Sequence, residues 1–174
     1  MVRTLPSGAV DSALVSHNTL GEPPRSLTAG FPAAADRLRA SRARLAARAL
    51  ELAIADDPDI RARLDDVALR NLLLDTEVLL ERLALCVAGD DSHWLAEFAD
   101  QSATVFRRRK VAMDDVIAAC EGLRSAVRGV LSDEEMVPAT NALDAAVNVF
   151  RQTRGIAGDA RKRNKLVTDI YKGI

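Results

Sequence analysis

Between Trp94 and Leu131 the sequence carries two runs of residues at helical spacing, separated by a short basic stretch. Steps of three and four residues place side chains along one face of a helix, as burial in a core requires. The segment therefore predicts two amphipathic helices joined by a tight turn. The recurring positions are Leu95, Phe98, Ser102, Val105 and Phe106 in the first run, and Val116, Ile117, Cys120, Leu123, Val127, Val130 and Leu131 in the second.

The turn between these two helices falls within Arg107 to Asp115, where the sequence reads RRRKVAMDD. Cations close the first helix, where the helix dipole is negative, and acids open the second, where it is positive. The charges thus match the helix ends that they occupy, and they predict a helix boundary near Lys110 to Ala112.

The composition favours an all-α fold, because the apolar content comes mainly from Ala, Leu and Val and only 3% of the residues are aromatic. A chain of 174 residues is long enough for one domain with a hydrophobic core. The 24 basic and 25 acidic side chains nearly cancel. Whole-chain charge therefore gives no argument for binding to nucleic acid or to a membrane surface.

The sequence divides into three parts: a flexible tail over residues 1–30, a helical sensor-like domain over residues 31–151, and a C-terminal helical extension over residues 152–174. Pro and Gly occur in the first part among Ser and Thr without a sustained period, which is typical of a disordered arm. The alternative is that its isolated apolar residues dock on the domain. These residues are Val10, Leu14, Val15 and Leu20.

Upstream of the hairpin the first helix begins at Pro32, a good first-turn residue, and runs to about Ala55. Asp56, Asp57 and Pro58 break it and start another helix, with Asp57 as a candidate N-cap and Pro58 in the first turn. A short turn over Asp59 to Leu64 then leads into the most hydrophobic helix, Asp66 to Ala88, which should lie at the centre of the core. Gly89 is the expected C-terminal stop of that helix.

After the hairpin, Ser132 to Glu135 fits the S-x-x-E capping box that begins a helix, and Pro138 predicts a kink or the effective start of that helix. An Asn at an a position is a known device for fixing register in a two-stranded coiled coil. Either this helix pairs with a second chain, or its first half packs on its own domain and only Arg161 to Tyr171 projects. The heptad register places Leu143, Phe150, Ala157, Asn164 and Tyr171 at a, and Ala146, Thr153, Ala160, Val167 and Ile174 at d.

No Ser/His/Asp set, metal-ligand cluster or glycine-rich phosphate loop can be assembled, so we assign no catalytic or metal-binding residue and expect a non-enzyme. Cys86 and Cys120 fall on apolar stripes and should be buried as small hydrophobes. His93, at a helix start, is a candidate axial ligand for a haem, although an exposed surface histidine is the favoured interpretation. The spacing of Trp94, Phe98 and Phe106 is typical of core packing, and the alternative is that they line a ligand pocket.

Basic residues concentrate in the first helix and at Arg161 to Lys165. A nucleic-acid face is one interpretation, but no aromatic residues interleave to stack bases, so solvated helix surfaces are favoured. No apolar run reaches the roughly 18 residues of a membrane span, and the N-terminus lacks the layout of a signal peptide, so we expect a cytoplasmic protein. The arginines of the first helix are Arg37, Arg39, Arg42, Arg44 and Arg48.

Two stretches, LLLDTEVLLERLALCVAGDD and WLAEFADQSATVFRRRKVAMDDVIAACEGLRSAV, combine a helix ending in Gly-Asp, a helix ending in a basic tract, and a Val-x-Met-Asp-Asp start into a long helix. In these features the region from Ala33 to Arg151 resembles the N-terminal sensor domain of RsbR-type stressosome proteins and related bacterial regulators. The resemblance implies a dimeric, globin-like bundle of about five to six helices with a long C-terminal helix, generally without haem. Such domains often have Gly in the hairpin turn, where this chain has Arg109 and Lys110.

RsbR-type proteins continue into a phosphorylatable STAS output domain, whereas this sequence ends at Ile174. Two alternatives follow: the chain is a stand-alone variant whose output comes from a protein partner, a STAS-domain or kinase-type regulator, or the sequence is part of a longer protein. The first functional hypothesis is a homodimeric, haem-free sensor that relays a signal through its C-terminal helix. The alternatives are a haem- or tetrapyrrole-binding sensor globin and a dimeric nucleic-acid-binding accessory protein.

Overall fold

The computed structural model describes the backbone of residues 29–171 and the side chains of residues 29–154. Every regular element within that range is an α-helix, so the all-α prediction is confirmed. Residues 1–28, and with them most of the predicted tail, lie outside the described range. The helices are α1 (Pro32–Ala40), α2 (Arg42–Asp56), α3 (Asp59–Arg63), α4 (Asp66–Gly89), α5 (His93–Arg108), α6 (Met113–Val127) and α7 (Asp133–Tyr171).

The seven described helices exceed the expected five to six for two local reasons. The predicted first helix is interrupted at Ser41, whose φ of −107° and ψ of 10° depart from helical values. Its N–H donates to both Arg37 O and Leu38 O, each at 3.2 Å, which tightens the end of α1. The helix start predicted at Asp57 and Pro58 is confirmed, and it closes into the separate short helix α3, where Asp57 Oδ1 accepts the Asp59 N–H at 3.1 Å.

Helix α4 lies at the centre of the core, as its hydrophobicity predicts, and it contacts α1, α2, α5, α6 and α7. Its predicted end at Ala88 is one residue short, because Gly89 still belongs to the helix and Asp90 takes the left-handed conformation, with φ of 50°. The side chains of α4 that are fully buried include Leu72, Leu79, Leu80, Leu83 and Val87.

The turn between α5 and α6 falls where the charges predict it, with α5 ending at Arg108 and α6 beginning at Met113. Lys110 has a φ of 61°, in the left-handed region that favours glycine. The Val111 N–H donates to Phe106 O at 3.0 Å and the Lys110 N–H to Arg107 O at 3.1 Å, the two bonds of a Schellman motif. Lysine therefore occupies a position whose backbone conformation favours glycine.

The predicted capping box begins α7. The Ser132 N–H donates to Glu135 Oε2 at 2.9 Å, and the Glu135 N–H donates to Ser132 Oγ at 3.4 Å. Arg37 of α1 also donates to Glu135 at 2.5 Å, and this guanidinium holds the pKa of the Glu135 carboxyl below its usual range. The helix thus starts at Asp133, and the prediction that it effectively begins at Pro138 is wrong because the box and the acidic first turn fix an earlier start.

The first half of α7 packs on its own domain, against α4, α5 and α6. Leu143 and Phe150 are completely buried there, as are Ala139, Ala142 and Ala146. Of the two arrangements that the sequence left open, the structure therefore has the one in which the first half of α7 belongs to the domain core. The side chains of Ala157, Asn164, Val167 and Tyr171 lie outside the described range, and their pairing with a second chain stays a prediction.

Helices α2 and α6 approach each other closely at Gly122. A Cβ atom placed on Gly122 would lie 2.9 Å from the carbonyl carbon of Ala49 and closer still to its oxygen. Contacts of this kind involve backbone atoms, which cannot rotate out of the way. Glycine at this position is therefore required by packing.

We expect Gly122→Ala to lower the free energy of unfolding by about 2–3 kcal/mol, because overpacking forces the two helices apart. In an open helix interior the same change would instead stabilise by about 1 kcal/mol. Urea denaturation monitored by circular dichroism measures the difference. Gly129→Ala is the matched control, since the nearest atom to its Cβ would be 3.9 Å away. Equal stability of the two variants would contradict the close packing.

Candidate functional site

Phe106 is a core residue at the contact between α5 and α7. Its side chain is only 1% exposed, and its ring meets that of Phe150 edge to face, with centroids 6.0 Å apart and planes at 66°. Such pairs are favourable beyond the area that they bury. The guanidinium of Arg109 lies 5.8 Å from the centroid of the Phe106 ring, so this core residue also has one edge near the surface.

Trp94 and Phe98 are half-buried on α5 and pack at the rim of the core. The Arg82 guanidinium of α4 lies 5.8 Å from the Phe98 ring centroid, a distance at which a cation and an aromatic face attract. Trp94 and Phe98 line one small groove, and Phe98 and Phe106 line another. The three aromatics of the sequence prediction thus flank two adjacent grooves, which share Phe98.

The second of these, here called the α4–α5 groove, has a volume of about 300 Å³. That is the lower end of the range for small-ligand sites. Its floor and walls are mostly apolar, with four polar side chains at the rim. The lining residues are Asp75, Val78, Phe98, Gln101, Ser102, Val105, Phe106 and Arg109.

A neighbouring depression on the other side of the exposed face of α4 has a volume of about 440 Å³. The two share Val78, which is 42% exposed, and Leu74 beside it is 54% exposed. Val105, across the groove on α5, is 46% exposed. Five large hydrophobic side chains are exposed in the described range, and three of them meet here. We refer to Leu74, Val78, Phe98 and Val105 as the apolar face.

Sequence analysis did not single out Leu74 or Val78. The available signal was that α4 carries leucine and valine beyond its own apolar stripe, as in the run Leu72, Leu73 and Leu74. A helix that is apolar on more than one side must be covered on each of them or leave a hydrophobic surface exposed. Which side stays exposed depends on how the other helices pack, and that is not readable from α4 alone.

An ion pair closes the lower rim of the α4–α5 groove, where Arg109 reaches across from the end of α5 to Asp75 on α4. Burial raises the pKa of Asp75, and the nearby Arg109 guanidinium partly offsets that effect. Because Arg109 also lies beside the Phe106 ring, one side chain joins the groove rim to the core.

His93 lies at the first residue of α5 with 42% of its side chain exposed. Its Nε2 is 3.2 Å from Glu97 Oε2, one turn further along the helix. The groove beside it, lined by Trp94, Glu97 and Phe98 among others, has a volume of about 150 Å³, about half of the lower limit for small-ligand sites. The geometry therefore gives His93 a surface carboxylate partner and adds no support for haem ligation.

The arginines of α1 and α2 are largely paired with acids. Arg39 donates to Glu81 at 2.8 Å, a contact that raises the pKa of the arginine, and Arg42 lies 3.4 Å from Glu77. Arg37 and Arg48 have partners in Glu135 and Glu51, and Arg44 donates to Ser41. Phosphate binding by this surface would compete with these existing pairs, so the structure adds no support for a nucleic-acid face here.

A buried carboxylate that sequence analysis did not identify lies at the start of α6. Asp115 is 1% exposed, and its Oδ1 accepts a hydrogen bond from Arg63 Nη2 at 2.6 Å. The same nitrogen donates to Asp57 Oδ2 at 2.7 Å, and the two acids together raise the pKa of Arg63. The network fastens α3 and the end of α2 to α6. The position of Asp115 in the sequence did not reveal this role, because an acid in the first turn of a helix is usually explained by its favourable interaction with the helix dipole.

Cys86 and Cys120 are both buried, as predicted. Burial raises the pKa of the Cys86 thiol to about 11 and that of Cys120 to about 12, so neither is a reactive thiolate near neutral pH. Among the residues described, no three His, Cys, Asp or Glu side chains cluster as a metal site would require. None of the described helices is long and apolar enough to cross a bilayer.

No protein-family model matches the sequence, and comparison with curated proteins gives no significant match. The apolar face, the α4–α5 groove and α7 are therefore the features of the molecule that bear on its function.

Phe106 and Phe98 should differ sharply in their effect on stability. Phe106→Ala removes a buried ring and should lower the free energy of unfolding by about 3–5 kcal/mol. Phe98→Ala removes a half-buried ring at the rim and should cost only about 1 kcal/mol. Urea denaturation of both variants checks the division between core and rim, and similar losses for the two would contradict it.

Proposed function

We propose that this chain is a non-catalytic regulatory domain that pairs with a second copy through the end of α7 and relays a signal to a partner protein. The observation that carries the proposal is the single 39-residue helix α7. Its first half is part of the domain core, with Leu143 and Phe150 completely buried. Its sequence then continues the same heptad register through Ala157, Asn164 and Tyr171.

The length of α7 supports this division of roles. At 1.5 Å per residue it is about 58 Å long, whereas α4, the next longest described helix with 24 residues, is about 36 Å. The ion pair between Arg154 and Asp114 places residue 154 beside the start of α6, at the end of the bundle that holds the α5–α6 turn. The remaining 17 residues of α7 therefore continue as a helix from that end.

One stripe of α7 would serve two purposes in succession. Along the first half, the a and d positions face α4, α5 and α6 in the core. Along the extension, the same positions would face the second copy in a two-stranded coil. The a and d contacts between the two copies are here called the seam. A rotation of α7 within the core would also rotate the seam, and the packing of the domain would thereby be coupled to the angle at which the paired helices cross.

A signal could enter this system at the α4–α5 groove. Phe106 lines the groove and its ring contacts that of Phe150 on α7. Displacement of Phe106 by a ligand or a partner would thus reach α7 through one pair of aromatic side chains. Interfaces of this packed kind switch between discrete arrangements, because side chains in a dense core cannot shift continuously.

The resemblance to RsbR-type sensor domains supports the same proposal and suggests the partner and the cellular location. It implies a globin-like arrangement, a cytoplasmic homodimer and a STAS-domain or kinase-type regulator as the partner. In this setting the protein carries no haem, and the groove takes the role of the sensing site. Trp94 and Phe98 at the rim and Phe106 at the base are its aromatic residues.

We expect the full chain to be a dimer in solution and a variant ending at Arg154 to be a monomer. The shortened variant keeps all side chains of the described core, the last of which is Thr153, so it should remain folded. Light scattering over a range of concentrations gives the mass, and circular dichroism confirms that the helices persist. A monomer in both cases would rule out pairing through α7.

Register in the proposed seam is testable by disulfide formation between copies. Asn164→Cys introduces a thiol at an a position, where the two chains face each other, and should give a covalent dimer under mild oxidation. Asp169→Cys, at the outermost f position, is the control and should cross-link much more slowly. Adding Phe106→Leu to Asn164→Cys should change its cross-linking rate if the core controls the seam. An unchanged rate would contradict the relay.

A further inference from the structure

Three basic residues, Arg107, Arg108 and Lys110, follow one another closely where α5 ends and the turn to α6 begins. All three are exposed, and none makes an ion pair with another side chain of residues 29–154. We propose that this group, here called the basic tip, is the docking surface for an acidic segment of the partner protein. The presence of such a partner rests on the proposed function, and the basic tip specifies the chemistry that holds it.

The acids at this end of the bundle already have basic partners. Asp75 on α4 pairs with Arg109, and Asp114 on α6 pairs with Arg154 of α7. The buried Asp115 accepts a hydrogen bond from an arginine of α3. The charge of the basic tip therefore has no balancing carboxylate among the described side chains, although the whole chain has a formal net charge of only −1. A local excess of one charge attracts partners of the opposite charge.

The backbone of Lys110 is a second, independent observation. Its φ is 61°, and in this left-handed conformation a lysine lowers the folding equilibrium constant about fivefold relative to glycine. The dipole of α5 does not account for the lysine, because that effect falls off within the last turn and α5 ends at Arg108. Residues held in sparsely populated conformations cluster at functional sites. Binding accounts for a side chain that the turn itself disfavours.

The basic tip lies where α7 leaves the bundle. Phe106, directly before the tip, contacts Phe150 of α7, and Arg154 pairs with Asp114 at the start of α6. The remainder of α7 continues from this end. Arg151, which is exposed, adds a further positive charge to this part of α7. A partner that binds the extension of α7 and reaches back to the domain therefore meets the basic tip.

The size and composition of the basic tip favour carboxylates of a protein over a nucleic acid. Guanidinium groups bind carboxylates and phosphates alike through paired N–H donors. The aromatic residue next to the tip, Phe106, is buried and offers no surface on which a base could stack. Three cations are also fewer than the roughly six to ten phosphate contacts of a protein that binds DNA. A contact between a few exposed charges forms and breaks quickly, as a regulatory partner requires.

Fluorescence anisotropy on the full chain tests the proposal, with a labelled peptide of alternating Glu and Ser as the probe. The peptide should bind at low ionic strength and dissociate as salt is added. Arg107→Glu combined with Arg108→Glu should weaken its binding by at least about tenfold. A labelled thymidine oligonucleotide of equal charge is the second probe and should bind more weakly than the peptide.

Arg44→Glu combined with Arg128→Glu is the matched control, because it changes the net charge by the same amount. Both arginines are exposed and lack an ion pair among the described side chains. They lie at the far end of α6, which is about 22 Å long. The control should weaken peptide binding less than about twofold. Basic residues of the α7 extension are unchanged in both variants, so the difference between the variants reports on the basic tip.

Substitution of Lys110 separates binding from folding. Lys110→Gly should raise the folding equilibrium constant about fivefold in urea denaturation, since it relieves the backbone, and should weaken peptide binding about threefold. Lys110→Arg retains both the charge and the conformation and should change neither quantity. A variant that is more stable and yet binds less cannot have lost binding through unfolding. Unchanged binding by Lys110→Gly would contradict a role for this side chain.

Three other results would overturn the proposal. They are absence of peptide binding, equal losses in the double variant and its control, and tighter binding of the oligonucleotide than of the peptide. The last of these would assign the basic tip to a nucleic acid. None of the measurements requires a dimer or a ligand in the α4–α5 groove. A monomeric chain with a functional basic tip would contradict only the pairing through α7, and a dimer without one would contradict only the basic tip.

Discussion

The contact between Phe106 and Phe150 is the interaction on which the rest of this domain depends. It joins the hairpin of α5 and α6 to α7, and both rings are almost completely removed from water. Burial of two such rings supplies several kcal/mol in a domain whose net stability is of a similar size. The same contact lies between the α4–α5 groove and the extension of α7. The atoms that stabilise the core would therefore also transmit any signal from the groove to α7.

Helix α4 explains why the domain has an open apolar surface. It is hydrophobic on more sides than the bundle covers, and Leu74 and Val78 remain exposed after α1, α2, α5, α6 and α7 have packed around it. Exposed leucine and valine cost little when scattered, but a contiguous group lowers solubility unless something binds it. This surface lies beside a groove that is lined by the core residue Phe106. A molecule bound there could therefore alter the packing of the core.

Much of this fold could be predicted because its signals are local. The capping box of Ser132 and Glu135 and the charges at Lys110 fix helix ends within one turn of sequence. The break at Ser41 could not be predicted, because it accompanies a change in packing that involves distant residues: α1 packs mainly on α4, whereas α2 packs on both α6 and α4. The ion pair of Arg63 with Asp115 and the apolar face could not be predicted either, because each brings together residues that are distant in the chain.

The weakness of the proposed seam is consistent with a regulatory role. Its a and d positions beyond residue 154 include Ala157, Ala160 and Asn164, and Gly155 and Gly158 each cost about 1 kcal/mol of helix propensity. A strong leucine seam would hold α7 in one rotation whatever happened in the core. A weak seam lets the buried residues Leu143 and Phe150 dominate the choice of rotation. Changes at Phe106 would then be transmitted, since the energy that opposes them along the extension is small.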